Sequence, residues 1–205
     1  MLNASERGAS LLGMLVVSVV GFATPGLTAE PGLTAVQNIV SLFSGPGGAS
    51  YPGAAKFIDY DAMSQRSLGV QQWSKLTAKQ KHDYTAALQV LIEQRYYPRW
   101  HRIFSKAKIE YVSKSTAGGD ILVKTILVVG KKRDPITWRL SDRSDKIINL
   151  AIGQKDLLDR LTNRLQPKLK KSGFQSMLAW MQAHARGEQP ATQTSSAESV
   201  LGESR

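Results

Sequence analysis

The stretch from Ile109 to Ile152 constrains this chain most. Apolar residues recur there with a period of two, the signature of strands that bury one face. Ile109 and Tyr111 flank Glu110. After Ala117-Gly118-Gly119 comes a long strand in which Ile121, Val123, Leu127 and Val129 share a face. Lys131 to Asp134 reads as a turn, after which Ile136, Trp138 and Leu140 face one way while Thr137 and Arg139 face the other. Ser141 to Asp145 turns again, and Ile147 to Ile152 is almost continuously apolar. Four consecutive strands joined by short turns predict an antiparallel meander, because antiparallel neighbours need only a hairpin between them.

Helical periodicity brackets the meander. Thr34 to Leu42 carries Val36, Ile39 and Val40 at helical spacing, and the Ser44-Gly45-Pro46-Gly47-Gly48 loop breaks it. Residues 55–69 read as a helix turned by Gly69. Thr77 and Gln80 form a capping-box pattern, the hydroxyl taking the Gln80 amide while the Gln80 side chain reaches back. Tyr84, Ala87, Leu88, Leu91 and Ile92 then give residues 78–97 one buried face, and Pro98 ends or kinks that helix. Past the meander, Leu157, Leu161, Leu165 and Leu169 recur at helical spacing, interrupted by Pro167. Gly173 follows, and Phe174, Met177, Leu178 and Met181 line a last helix. From Gly187 onward the chain has too few apolar residues to pack, so residues 187–205 read as a disordered tail. The expected domain spans residues 30–186 and is α+β: an antiparallel four-stranded meander sheet flanked on one face by helices.

The N-terminus reads as an export signal over residues 1–29. Arg7 precedes the apolar run Leu11 to Val20, Pro25 and Gly26 break it, and Ala29 offers a small residue at the cut. The run is short for a bilayer span, which favours cleavage over an uncleaved anchor. The repeat Pro-Gly-Leu-Thr-Ala at 25–29 and 31–35 offers a second cut after Ala35. The chain has no cysteine, so packing alone must hold it. Its 27 Lys and Arg against 16 Asp and Glu give a net charge of +11, which suits anionic partners. Export removes nucleic acid from these and leaves membrane surfaces or phosphorylated headgroups. Tyr96, Tyr97 and Trp100 among Arg95, Arg99 and Arg102, with the Lys131-Lys132-Arg133 turn, suit such a surface. Helix-end packing accounts for the same residues equally well.

No catalytic constellation stands out. His82, His101 and His184 share no ligand spacing, which argues against a metal site, and no nucleophile elbow, phosphate loop or dinucleotide fingerprint implies a cofactor. Asp59 and Asp61 suit the start of a short helix, where a carboxylate accepts backbone amides and meets the positive dipole end. A rival reading makes the chain an enzyme using Asp59 or Asp61 with His82 or Tyr84, and it requires a polar pocket.

The segment Phe57-Ile58-Asp59-Tyr60-Asp61-Ala62-Met63, followed by Leu68-Gly69, Trp73, Thr77-x-x-Gln80 and Tyr84, resembles the toluene-tolerance, or MlaC-like, family of periplasmic phospholipid-binding proteins. The resemblance runs over roughly Ala54 to Trp180. It implies a non-enzymatic periplasmic carrier with an apolar cavity between sheet and helices, shielding acyl chains during transport between outer and inner membranes. The implied partners are a phospholipid or related lipid, an inner-membrane transporter complex of ABC type and an outer-membrane lipoprotein complex. The lipid-binding candidates are then Leu88, Leu91, Ile92, Ile121, Val123, Leu127, Trp138, Leu150, Leu157 and Leu161, which equally fit a solid core. Where related proteins tend to carry an aspartate, a Glu-Gly-Val-Ser turn and a Tyr-Arg pair, this chain has Asn149, Gly153-Gln154-Lys155-Asp156 and Leu161-Thr162. That departure leaves a hopanoid-type ligand open beside a glycerophospholipid. A membrane-anchored structural subunit of an envelope complex is the third alternative.

Overall fold

The computed structural model describes residues 32–45, 51 and 53–188. The expected signal segment 1–29, and residues 189–205 of the expected tail, lie outside the described residues.

Helix α1 (Leu33–Ser44) buries Ala35, Val36, Ile39 and Phe43. The helix expected over 55–69 is divided. A 3-10 turn (Ala55–Phe57) leads to Ile58, which forms a β-bridge with Ile147, and the Asp59 N–H donates to the Ile147 carbonyl at 2.9 Å. Only then does α2 (Tyr60–Leu68) begin, with the Asp59 carboxylate accepting the Ala62 N–H at 2.9 Å as its cap. The backbone bond to the sheet takes priority because a buried strand-like N–H must find an acceptor. Gly69 ends α2 at φ 80°, where a side chain is disfavoured, and a short α3 (Val70–Ser74) follows. Helix α4 (Ala78–Arg95) starts on the complete Thr77/Gln80 capping box. Helix α5 (Tyr97–Phe104) places Pro98 in its first turn, where a missing N–H breaks no helical bond.

The sheet comprises β1 (Lys108–Ala117), β2 (Asp120–Val129), β3 (Lys132–Ser141), β4 (Ile147–Ile152) and β5 (Lys155–Asp156), in sequential antiparallel order. It therefore has five strands rather than the four expected from the sequence. The fifth pairs Lys155 and Asp156 with Ile152 and Ala151, and two residues are too few to carry a period. Helix α6 (Leu157–Arg186) is capped by Asp156, which accepts the Asp159 N–H at 3.0 Å. It runs through Pro167 and leaves helical geometry only at Gly173 (φ 77°, ψ 174°), so the break expected at Pro167 falls six residues later. Proline removes one hydrogen bond, whereas a positive φ takes the backbone out of the helix.

One sheet face packs under helices. Val123, Leu127, Ile136, Trp138, Leu140 and Leu150 meet α4, α5 and α6 in a single core. Trp138 is fully buried; its indole N–H donates to Thr125 at 3.0 Å and its ring stacks on Phe104 of α5 at 5.7 Å. Thr125 is thus an inward polar residue with a specific partner. Edge strand β1 is exposed along most of its length and carries a bulge near Val112. Among the described residues, no helix is long and apolar enough to cross a membrane.

At the end of the sheet where β2 begins, buried Asp120 accepts from Arg66 of α2 at 2.7 Å and from Arg139 of β3 at 2.8 Å. Ser144 adds a second tie by donating to Asp59 at 2.8 Å. Burial pushes the Asp120 carboxyl up, but the two guanidiniums together outweigh it and hold the group below the usual carboxylate range. A carboxyl depressed in the folded state contributes stability that is present above its unfolded pKa and lost as pH falls through the folded one. Asp120→Asn should therefore cost about 2 kcal/mol at neutral pH, between the values for exposed and buried pairs. Unfolding midpoints taken from neutral pH to below 3.8 should converge for wild type and variant in acid. A constant difference down to the acid limit would contradict the clamp.

Candidate functional site

The opposite end of the sheet, near the β2–β3 turn, is open. A cleft of about 720 Å³ lies there between the inner sheet face, α5 and the start of α6. That volume falls within the range of small-molecule pockets. Three chain segments converge on it for local reasons. The α4–α5 junction at Tyr96 brings Tyr96, Arg99, Trp100, Arg102, Ile103 and Lys106 to one wall. The alternation of β2 and β4 points Leu127, Leu150 and Ile152 inward as the second wall. The β4–β5 hairpin and first turn of α6 supply Gly153, Gln154, Lys155, Leu157 and Arg160.

Apolar side chains form the walls and cations form the mouth. Leu127, Leu150 and Leu157 reach the cleft while staying almost wholly buried; Val129, 40 % exposed, lies at its lip. Around them stand Arg99, Arg102, Lys106, Lys132, Lys155 and Arg160, against a single carboxylate, Asp134, which lies 2.8 Å from Lys132. The Arg99 guanidinium lies over the Tyr96 ring, 5.7 Å from its centre. The positive field extends along α6 to His184, whose imidazolium is disfavoured first by burial and then by Arg95, Arg164, Arg99 and Lys168.

The sequence-predicted residues divide between two places. Leu127, Leu150 and Leu157 line the cleft. Leu88, Leu91, Ile92, Ile121, Val123, Trp138 and Leu161 are buried in the core behind it. The aromatic belt divides likewise. Tyr96 and Trp100 face the cleft, while Tyr97 turns inward, its hydroxyl 2.8 Å from that of Tyr60. Burial pushes the Tyr97 phenol up to about 12, although the Tyr60 hydrogen bond opposes it, so the pair is a neutral link between α2 and α5.

Residues considered for chemistry have structural partners. Asp59 holds the Ala62 amide and the Ser144 hydroxyl, and the Tyr84 hydroxyl lies 2.7 Å from Ser67. The buried Asn149 accepts from the Leu150 and Leu158 amides and donates to Asp156, so it helps cap α6. Lys155 and Arg160 were not singled out from the sequence. A signal existed for Arg160, which lies three residues beyond Leu157 and so on the same side of α6. Among the described residues, no group of three or more His, Cys, Asp or Glu side chains is placed to hold a metal ion.

A second cleft, about 660 Å³, lies over the Asp120 clamp and is lined by Gln65, Arg66, Gly118, Gly119, Asp142 and Arg143 among others. Its central charges already pair with each other, so the apolar cleft is the better ligand site. Room in that cleft is directly testable by enlarging residues. Leu127→Trp should change stability by less than about 1 kcal/mol, because the ring has space to enter. Val123→Trp, at a solid part of the same strand, should cost about 1–3 kcal/mol through overpacking. Equal losses in denaturant titration would mean that the cleft offers no room.

No curated protein matches the chain. A solved structure described as the phospholipid-binding protein from Ralstonia solanacearum, in complex with a phospholipid, superposes with a TM-score of 0.64. It is 15% identical in sequence, and the match covers 76% of this chain and 94% of that one, which establishes a shared fold. A family model described as MlaC protein matches residues 53–183, from the loop before α2 to the last turns of α6. That span takes in the meander, the cleft and the helices except α1 and the end of α6, and the chain belongs to the MlaC protein family.

Proposed function

We propose that this protein is a periplasmic phospholipid carrier that shields acyl chains in the cleft between β2–β4 and helices α5 and α6. The observation that carries the reading is an open apolar cleft of about 720 Å³ with cations at its mouth, the polarity of an amphiphile in reverse. Membership of the MlaC family and the phospholipid held by the Ralstonia solanacearum protein of similar fold support it. Leu127, Leu150 and Leu157 meet the chains first. Leu88, Leu91, Ile92, Ile121, Val123, Trp138 and Leu161 form the deeper apolar layer onto which longer chains would press.

Burial supplies the affinity. Each methylene taken out of water contributes about 0.8 kcal/mol, so even part of an acyl chain holds the lipid firmly. Binding of this kind needs no reacting group. It does need a release step, and the same arithmetic says that spontaneous escape is slow. An outer-membrane lipoprotein complex as donor and an inner-membrane transporter complex as acceptor, or the reverse, would provide that step by opening α5 or α6 from the sheet.

Organic extraction of the purified protein followed by mass spectrometry should give about one phospholipid per chain. Leu127→Trp should lose most of that lipid while keeping its fold, because the indole occupies the space that the chains need. A wild-type protein that carries no lipid, and takes none from vesicles, would overturn the carrier reading.

A further inference from the structure

The mouth of the cleft bears more positive charge than its surroundings can neutralise. We infer that the cleft selects lipids whose headgroup carries a net negative charge, such as phosphatidylglycerol, over zwitterionic lipids with the same chains. The inference rests on the carrier reading and adds the class of cargo. Elsewhere on the described surface several cations have carboxylate partners close by, Arg66 and Arg139 on Asp120, Lys79 on Asp83, and Lys108 and Arg133 on Glu110, while at the mouth five cations gather around one apolar opening without such partners. At the mouth, Arg99, Arg102, Lys106, Lys155 and Arg160 make no ion pair with any described carboxylate. Only Lys132 has one, in Asp134 at 2.8 Å.

This distribution has a chemical consequence. Like charges gathered around one opening repel each other, and an anion placed among them relieves that repulsion. Every phospholipid brings a phosphodiester, so all would be attracted in part. A choline or ethanolamine group then places a cation among cations. The usual receptors for such a group are a carboxylate or an open aromatic face. Asp134 is already held by Lys132, and Arg99 covers the Tyr96 ring. A glycerol headgroup adds only hydroxyls, which Gln154 and the lysines can satisfy. The apolar walls directly beneath tie the anion to acyl chains, which is why a lipid fits the site better than free phosphate.

The test uses one population of vesicles made of equal parts phosphatidylglycerol and phosphatidylcholine with identical oleoyl chains. Protein is incubated with them and reisolated, and its bound lipid is identified by mass spectrometry. Selection within a single vesicle population reports the cleft and not preferential docking on a charged membrane. Phosphatidylglycerol should exceed phosphatidylcholine by roughly fivefold or more, and the ratio should fall as salt rises. The variant Arg102→Gln/Lys106→Gln/Lys155→Gln, altered at exposed positions, should take up less lipid in total and hold it at a ratio near one. Inorganic phosphate at matched ionic strength should leave the wild-type ratio unchanged; if it abolishes the preference, the mouth is a general phosphate site and the headgroup assignment fails. Equal uptake of both lipids by wild type, or an unchanged preference in the variant, overturns the selectivity while the carrier reading stands. A protein that takes up neither lipid overturns both.

Discussion

Trp138 decides where this domain is solid and where it is open. Its ring must stack, and its indole N–H must find an acceptor in an otherwise apolar layer. Phe104 supplies the stack from α5 and Thr125 supplies the acceptor from β2, so one residue fixes a helix and two strands relative to each other. Around that pin, Val123, Ile136 and Leu140 are buried in the same core. Toward the β2–β3 turn, Leu127 and Leu150 have a cleft in front of them, walled by α5 and the start of α6. An antiparallel sheet tolerates this because each strand is bonded by its neighbours and does not depend on the helices for its hydrogen bonds.

The two ends of the sheet are therefore built on opposite principles. At the start of β2, charges are paired: Asp120 satisfies two guanidiniums and ties α2 to β3. At its finish, cations that, Lys132 excepted, pair with no described carboxylate gather around an apolar hollow. The clamped end can hold sheet and helices together while the open end changes its filling. A carrier needs such a division, since a cavity that empties and fills places its strain on the contacts that remain.

Much of the architecture was legible in the sequence because its causes are local. The period-two runs gave the four long strands, and Thr77 with Gln80 gave the start of α4 through a capping box that involves only four residues. Asp59 was readable as a cap for the same reason. Features that depend on distant partners were not readable. Ile58 leaves the helix because Ile147, far along the chain, offers it a bridge. The Asp120–Arg139 pair follows from the register of the β2–β3 hairpin, which sets Leu122 opposite Arg139 and so puts Asp120 on the diagonal. Its third member, Arg66, comes from an unrelated helix. The site was half legible: alternation identified inward residues such as Leu127, and the continuous apolar run 147–152 carried Leu150, but neither pattern tells which residue faces space. Lys155 and Arg160 reach the mouth only through the short fifth strand and the angle at which α6 starts from it.

The central claim is that acyl chains lie against the α5 wall of the cleft, beside Trp100. Tryptophan emission reports this directly when the bound phospholipid carries bromine on its chains, since bromine quenches an indole only at close range. In a Trp73→Phe/Trp180→Phe variant, the two remaining indoles are Trp100 at the cleft wall and Trp138 behind it. Loading with the chain-brominated lipid should quench much of the emission, and the unbrominated lipid should not. Bound brominated lipid that leaves the emission unchanged would place the chains elsewhere and contradict the account.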